Sequence, residues 1–150
     1  MKNLTLAAVM ALLSAPAISQ ESVLGDAAAG EEAFNRQCVA CHVIVADDGQ
    51  EIAGRGSMTG PNLYAVAGRM PGSHPDFEYG DDLIAYGALG VVWDDPTLTA
   101  YLKDPTDFLR EALDDRRARG KMAFQVRNEQ DAHDIYAYLV SVAPAPVPAE

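Results

Sequence analysis

The stretch that decides the fold is CVACH, residues 38–42. Cys38 and Cys41 are the only two cysteines among 150 residues, and His42 follows the second one directly. A cysteine pair at this spacing is compatible with a short-range disulfide, a dithiol redox site, part of a zinc centre or an attachment point for a cofactor. These alternatives make different demands on the rest of the chain.

The first three alternatives are poorly supported by the surrounding sequence. A disulfide here would close only a very short loop, and stabilisation by loop closure grows with the length enclosed. A redox C-x-x-C is expected in a βαβ pattern, and zinc requires further cysteine or histidine ligands at finger-like spacing. Neither pattern follows residue 42. The remaining interpretation is C-x-x-C-H as the signature of covalent haem attachment, with both thiols forming thioethers and His42 beneath the iron.

An iron held by one histidine needs a sixth ligand or leaves an open site. The candidates are Met58, Met70, Met122, His74 and His133. The context favours Met122, because RARGKMAFQ is a glycine-containing connection between two predicted helices, where a thioether can turn inward. We expect His133 on an exposed face of the last helix and the other two methionines in packing roles, although the sequence alone leaves them open as ligands.

The two ends of the chain are predicted to lie outside the folded domain. Residues 1–19 read as an export signal, with Lys2, an apolar run from Leu4 to Leu13 and small residues ahead of a cleavage point near Gln20. The apolar run is shorter than the roughly 20 residues that span a bilayer. The sequence thus predicts export to the periplasm, one domain over residues 20–142 and a flexible Pro/Ala-rich tail over residues 143–150.

Helical periodicity and capping signals predict an all-α domain. Asp26 is the expected N-cap of a first helix and Asn128 of a last one. The apolar sides of these two helices are expected to comprise Ala29, Ala33, Phe34 and Gln37, and Ala132, Ile135, Tyr136 and Leu139. Asp95 with Pro96 and Asp104 with Pro105 predict two further helix starts, with a break at Asp104.

The remaining segments read as loops. Residues 49–60 and 70–80 are rich in glycine and proline. No run of alternating polar and apolar residues supports a sheet, so we expect loops wrapped around the cofactor.

A series of motifs in a characteristic order resembles the class I c-type cytochromes. The motifs are CVACH, TGPNL (59–63), GR (68–69), FEY (77–79), Trp93, AYLKDP (100–105), KMAF (121–124) and IYAYL (135–139). The chain resembles the small bacterial periplasmic carriers related to mitochondrial cytochrome c, over roughly residues 25–142. The resemblance implies the cytochrome c fold, with the N- and C-terminal helices packed together and loops and short helices around one covalent haem.

The resemblance also implies roles for individual positions. It implies one haem c attached through Cys38 and Cys41, with His42 and Met122 as iron ligands. The other implied haem contacts are Pro61 as acceptor for the His42 ring, Tyr101 near the methionine sulfur, and Arg69, Tyr79 and Trp93 beside the propionates. Gly30 and Phe34 are expected to pack against Tyr138.

The implied ligand set predicts a function. Histidine and methionine together leave no vacant iron position, and thioether ligation favours the reduced state. A monomeric one-electron carrier, rather than an enzyme, is therefore expected. By resemblance, such a carrier docks transiently and links quinol:cytochrome c oxidoreductase to a terminal oxidase, a reductase or a photosynthetic reaction centre. The alternatives are a haem subunit of a periplasmic dehydrogenase and a gas-binding protein with a labile sixth ligand.

Charge is unevenly distributed along the chain. The formal net charge is −11, which argues against nucleic acid as a partner. Residues 20–95 carry thirteen acidic and three basic side chains, whereas residues 96–142 carry eight and seven. A basic run of Arg116, Arg117, Arg119 and Lys121 precedes Met122. The run predicts either a docking patch for a negative partner or a helix end stabilised by the helix dipole.

Two segments, residues 43–60 and 110–120, are longer than the corresponding segments in the shortest class I cytochromes.

Overall fold

The computed structural model describes residues 24–143. The predicted export signal and all but the first residue of the predicted tail lie outside the described residues. The elements are α1 (Ala27–Gln37), β1 (Ile44–Val45), β2 (Glu51–Ala53), α2 (Asp81–Gly87), α3 (Asp95–Lys103), α4 (Pro105–Ala112) and α5 (Glu129–Ser141). Within residues 24–143, no helix is long and apolar enough to cross a membrane.

The outer helices begin where the capping residues predict. The Asp26 carboxylate accepts hydrogen bonds from the backbone N–H groups of residues 28 and 29, and Asn128 caps α5 through Gln130 N. Ala29 is exposed, contrary to the expected apolar side, and the buried residues of α1 are Gly30, Ala33 and Phe34. The buried side of α1 therefore begins one residue later than predicted, because the helix faces α5 through Gly30.

The α1–α5 contact brings two backbones unusually close. A Cβ built on Gly30 would lie 1.9 Å from the carbonyl oxygen of Asp134 and 2.9 Å from the Cβ of Tyr138. One turn further along, the rings of Phe34 and Tyr138 meet with centroids 5.6 Å apart. This packing confirms the expected contact of Gly30 and Phe34 with Tyr138, and it holds the two ends of the described domain together.

The break between α3 and α4 falls at Asp104, as predicted. Asp104 is extended, with φ −153° and ψ 96°, and its carboxylate caps α4 through the N–H groups of Thr106 and Asp107. The start of α3, however, is capped by Asp94 and not by Asp95. The Asp94 carboxylate accepts from Thr97 N at 2.9 Å, while the Thr97 hydroxyl accepts from Asp94 N at 3.1 Å. This reciprocal capping box stabilises the earlier start.

The β1–β2 hairpin and helix α2 were not predicted from local sequence signals. β1 and β2 form an antiparallel hairpin in which Ile44 pairs with Ala53. Its strands of two and three residues are too short to show an alternating pattern, and β2 lies in the glycine-rich stretch expected to be a loop. Helix α2 starts after Gly80 without a side-chain cap, so it carried no capping signal. The fold is nevertheless predominantly helical, which confirms the predicted class.

Candidate haem site

One large cavity opens between the helices and the loops of the described domain. Its volume is about 1130 Å³. The structure brings all nine predicted cofactor-binding residues to its wall: Cys38, Cys41, His42, Pro61, Arg69, Tyr79, Trp93, Tyr101 and Met122. Leu98 of α3 and Ile135 and Leu139 of α5 also line it. The sequence marked these α5 residues as buried but could not show that they face a cavity instead of protein.

CVACH forms a tight turn at the end of α1. The N–H of Cys38 donates to the carbonyl oxygen of Phe34, and the N–H groups of Cys41 and His42 both donate to the carbonyl oxygen of Cys38 at 3.0 Å. Cys38 is buried and Cys41 is exposed. Burial raises the pKa of the Cys38 thiol to about 12. The turn therefore places two thiols and an imidazole on one side of the cavity.

His42 is oriented by a backbone acceptor. Its Nδ1 lies 2.9 Å from the carbonyl oxygen of Pro61. A carbonyl only accepts, so Nδ1 carries the proton and Nε2 keeps its lone pair. Burial lowers the pKa of His42, against the opposing effect of the hydrogen bond to Pro61, and this favours the neutral ring. A neutral imidazole with a free Nε2 is the form that binds iron.

Gly60 limits the space on one side of that ring, and replacing it by alanine should be destabilising. An added Cβ would lie 2.4 Å from Cε1 and 2.6 Å from Nδ1 of His42. Either the ring or the 59–61 loop must shift, which weakens the bond to Pro61. We expect the free energy of unfolding to fall by about 1–3 kcal/mol, the usual range for overpacking.

Urea unfolding of the haem-loaded protein measures this loss. Met58→Ala is the control, because Met58 lies two residues away in the same loop, is 70% exposed and does not line the cavity. Equal stability of the two variants would contradict the steric role of Gly60.

Another part of the cavity wall carries a half-buried cation and aromatic rings. Arg69 donates from Nη1 to the carbonyl oxygen of Tyr64 at 2.9 Å and from Nη2 to that of Asn62 at 3.2 Å. The rings of Trp93 and Tyr101 lie with centroids 5.1 Å apart. Burial raises the pKa of Tyr101 to about 12, so its hydroxyl remains a hydrogen-bond donor at neutral pH.

The structure shows which of the candidate sixth ligands line the cavity. Met122 lines the cavity and packs against the buried core. Met70 also lines the cavity, although its side chain is 47% exposed. Met58 is 70% exposed, so the prediction that it packs in the interior was wrong. His74 does not line the cavity, and its Nδ1 lies 3.3 Å from Asp76 N.

The prediction of an exposed face for His133 was also wrong. Its side chain is only 16% exposed, and its Nδ1 lies 2.8 Å from Oδ1 of Asp95. The acidic partner comes from α3 and not from the neighbouring residues of α5. Because this pair lies between two helices and outside the cavity lining, His133 is not placed to reach the cofactor.

The basic run before Met122 does not form a helix end. Helix α4 ends at Ala112, and residues 116–121 belong to the connection that follows. The explanation by the helix dipole is therefore wrong. Arg116, Arg117 and Arg119 are exposed, and Lys121 lines the cavity.

The cavity and its donor groups suit a covalently attached haem. Two thiols stand at one edge, and an imidazole nitrogen and a thioether sulfur are available as iron ligands. Leucine, isoleucine and aromatic side chains supply an apolar surface for the macrocycle. A mainly helical domain with this set of groups defines a c-type haem protein.

Comparison with known proteins identifies the family. Residues 27–143 match the family model described as cytochrome c, and the chain belongs to that family. It is 50% identical over 142 residues to cytochrome c2 of Cereibacter sphaeroides, covering 94% of this chain and 95% of that protein. It is 48% identical over 141 residues to cytochrome c2 of Rhodobacter capsulatus, covering 93% and 96%.

Solved structures give the same result. The crystal structure of cytochrome c2 from Rhodobacter sphaeroides aligns with a TM-score of 0.78 at 50% identity, covering 81% of this chain and 99% of that one. Cytochrome c-550 from Paracoccus versutus aligns with a TM-score of 0.74 at 40% identity, covering 80% and 99%. The predicted class and fold are confirmed: the chain is a small class I bacterial c-type cytochrome, a haem protein that carries electrons.

Family membership also confirms the predicted cofactor. A cytochrome c of this kind holds haem c covalently through two cysteines, and Cys38 and Cys41 are the only cysteines of the chain.

Proposed function

We propose that this cytochrome is a periplasmic one-electron carrier whose iron is ligated by His42 and Met122. It would move electrons from a donor such as quinol:cytochrome c oxidoreductase to a terminal oxidase, a reductase or a photosynthetic reaction centre. The observation that carries the proposal is the convergence of Cys38, Cys41, His42 and Met122 on one apolar cavity.

The chemistry divides between the cofactor and the chain. When bound, the haem supplies reversible exchange of one electron at its iron. His42 is held by the hydrogen bond to Pro61, which fixes the ring and increases its basicity as a ligand. The Met122 thioether would serve as a soft ligand that favours the reduced state and so raises the potential. Ligation by His42 and Met122 together would leave the iron no free position for a substrate, so we propose an electron carrier and not an enzyme.

Arg69, Tyr79 and Trp93 are proposed to hold the propionate groups. Two backbone carbonyls fix the Arg69 guanidinium in the cavity wall, so it offers a positive charge that is already oriented. Burial raises the pKa of Tyr79, and the positive charge of Arg69 opposes that rise. Tyr101 is proposed to lie near the sulfur of Met122 and to donate a hydrogen bond to it from its hydroxyl.

Charge around the cavity indicates how a partner would approach. The exposed arginines 116, 117 and 119 lie in the segment that leads to Met122, on a protein with a formal net charge of −11. We propose that this basic segment orients a monomeric carrier towards a negative partner surface and accelerates transient encounter.

Removal of residues 1–19 during export would release the carrier into the periplasm.

Absorption spectroscopy tests the proposed ligation. The haem-loaded wild type should show a low-spin spectrum in both oxidation states, and carbon monoxide should leave the reduced spectrum unchanged. Uptake of carbon monoxide would contradict a closed iron site and favour a gas-binding protein. Size-exclusion chromatography of the native periplasmic fraction tests the free carrier, since a large stable complex would favour a dehydrogenase subunit instead.

A further inference from the structure

The three residues directly before Met122 are each held by a different part of the chain. The bonds run from Arg119 N to Asp82 Oδ2 (2.8 Å), from Gly120 N to Thr106 Oγ1 (3.1 Å) and from Lys121 Nζ to the carbonyl oxygen of Glu78 (2.8 Å). The acceptors belong to α2, α4 and the loop before α2. Consecutive residues are thereby tied to three separate segments at the point where the proposed ligand enters the cavity.

These hydrogen bonds hold a connection that has no regular secondary structure of its own. Residues 113–128 connect α4 to α5 and contain no helix or strand. The backbone N–H groups of Arg119 and Gly120 accordingly find side-chain acceptors, which lie 37 and 14 residues away along the chain. Asp82 and Thr106 both stand in the first turn of a helix, where the surrounding backbone is fixed.

Ala118 provides a further contact between this segment and the rest of the domain. Ala118 is 1% exposed, and its carbonyl oxygen accepts from Nε of Arg110 at 3.3 Å. The lengthened segment 110–120 is therefore packed onto the domain, and it leads into Met122 from a fixed position.

We propose that Asp82 and Thr106 are positioning residues that keep Met122 on the iron by holding Arg119 and Gly120. The inference rests on the proposed ligation by Met122. For the thioether to leave the iron, this segment must move outward, and that motion breaks both backbone bonds. The two side chains therefore set how often the sixth position opens, while neither touches the cofactor.

Binding of imidazole to the ferric, haem-loaded protein measures that opening. Imidazole occupies the sixth position only after the thioether has left. We expect Asp82→Ala and Thr106→Val each to raise the opening rate and the apparent affinity about fivefold, because each removes one hydrogen bond that exists only in the closed state. The double variant should exceed either single variant.

Three control variants separate positioning from charge and from general stability. Asp81→Ala removes the same charge from the same turn of α2 and should bind imidazole as the wild type does. Thr106→Ser keeps the hydroxyl and should restore slow binding. Asp26→Ala removes the N-cap of the remote helix α1, lowers global stability and should leave imidazole binding unchanged.

Two results would overturn the inference. One is wild-type imidazole kinetics in both Asp82→Ala and Thr106→Val. The other is an increase no larger than that produced by Asp26→Ala. The ligation itself is read out by Met122→Ala, which should bind imidazole without waiting for an opening step. Slow, wild-type binding in that variant would refute the ligation by Met122 together with the inference, whereas fast binding there with unchanged Asp82 and Thr106 variants refutes the inference alone.

Discussion

In the Met122→Ala variant, the reduced haem iron is expected to bind carbon monoxide, whereas the wild-type iron, with its sixth position occupied, does not. The substitution removes the sulfur and leaves a methyl group too short to reach the iron, so the sixth position opens. The loss of the thioether should also lower the reduction potential, because that ligand stabilises the reduced form. The free energy of unfolding should fall by about 2 kcal/mol or more, in line with truncation of a packed methionine.

Met70→Ala is the matched control for this prediction. Met70 lines the same cavity, but its side chain is 47% exposed. Carbon monoxide titration of the reduced proteins, followed by absorbance, should therefore show binding in Met122→Ala and none in Met70→Ala. The reverse pattern would assign the sixth position to Met70 and refute the role proposed for Met122.

Gly30→Ala is expected to have the largest effect on stability away from the haem. The added Cβ would lie 1.9 Å from the Asp134 carbonyl oxygen and 2.5 Å from its carbonyl carbon. Backbone atoms cannot rotate away as a side chain can, so α1 and α5 must separate and the Phe34–Tyr138 contact must loosen. We expect a loss of about 3 kcal/mol, at the upper end of the usual range for overpacking.

Helix propensity alone predicts the opposite effect of Gly30→Ala on stability, so the two explanations can be distinguished. Alanine has the higher helix propensity, by roughly 1 kcal/mol, so an isolated α1 would become more stable. Urea unfolding of Gly30→Ala should nevertheless show a clear loss, while Glu32→Ala, at an exposed position of the same helix, should stay close to the wild type. A Gly30→Ala variant as stable as the wild type would show that α1 and α5 tolerate a wider separation.

Much of the site could be predicted because its elements carry local signals. The C-x-x-C-H motif, the N-caps at Asp26, Asn128 and Asp104 and the proline after Asp104 all act within a few residues of the backbone that they shape. The order of motifs along the chain then indicated the fold. All nine predicted cofactor-binding residues lie at one cavity, although their individual roles towards the haem stay predictions.

The features that the sequence did not predict depend on contacts between distant residues. His133 looked exposed beside its acidic neighbours, yet its partner is Asp95, 38 residues away. Nothing near Gly60 in the sequence shows that it touches the ring of His42. The α2 helix lacks a side-chain cap, and the β1–β2 hairpin is too short for a periodic pattern.

The sequence by itself determined the covalent attachment motif, the class of fold and the starts of α1, α4 and α5, because short-range hydrogen bonds and periodic burial specify them. Only the tertiary structure decided which of the candidate ligands line the cavity, how closely α1 approaches α5 and which side chains hold the segment before Met122. Those outcomes depend on where separate segments meet in space, and the hydrogen bonds from Arg119 to Asp82 and from Gly120 to Thr106 exist only after α2 and α4 have packed around the haem cavity.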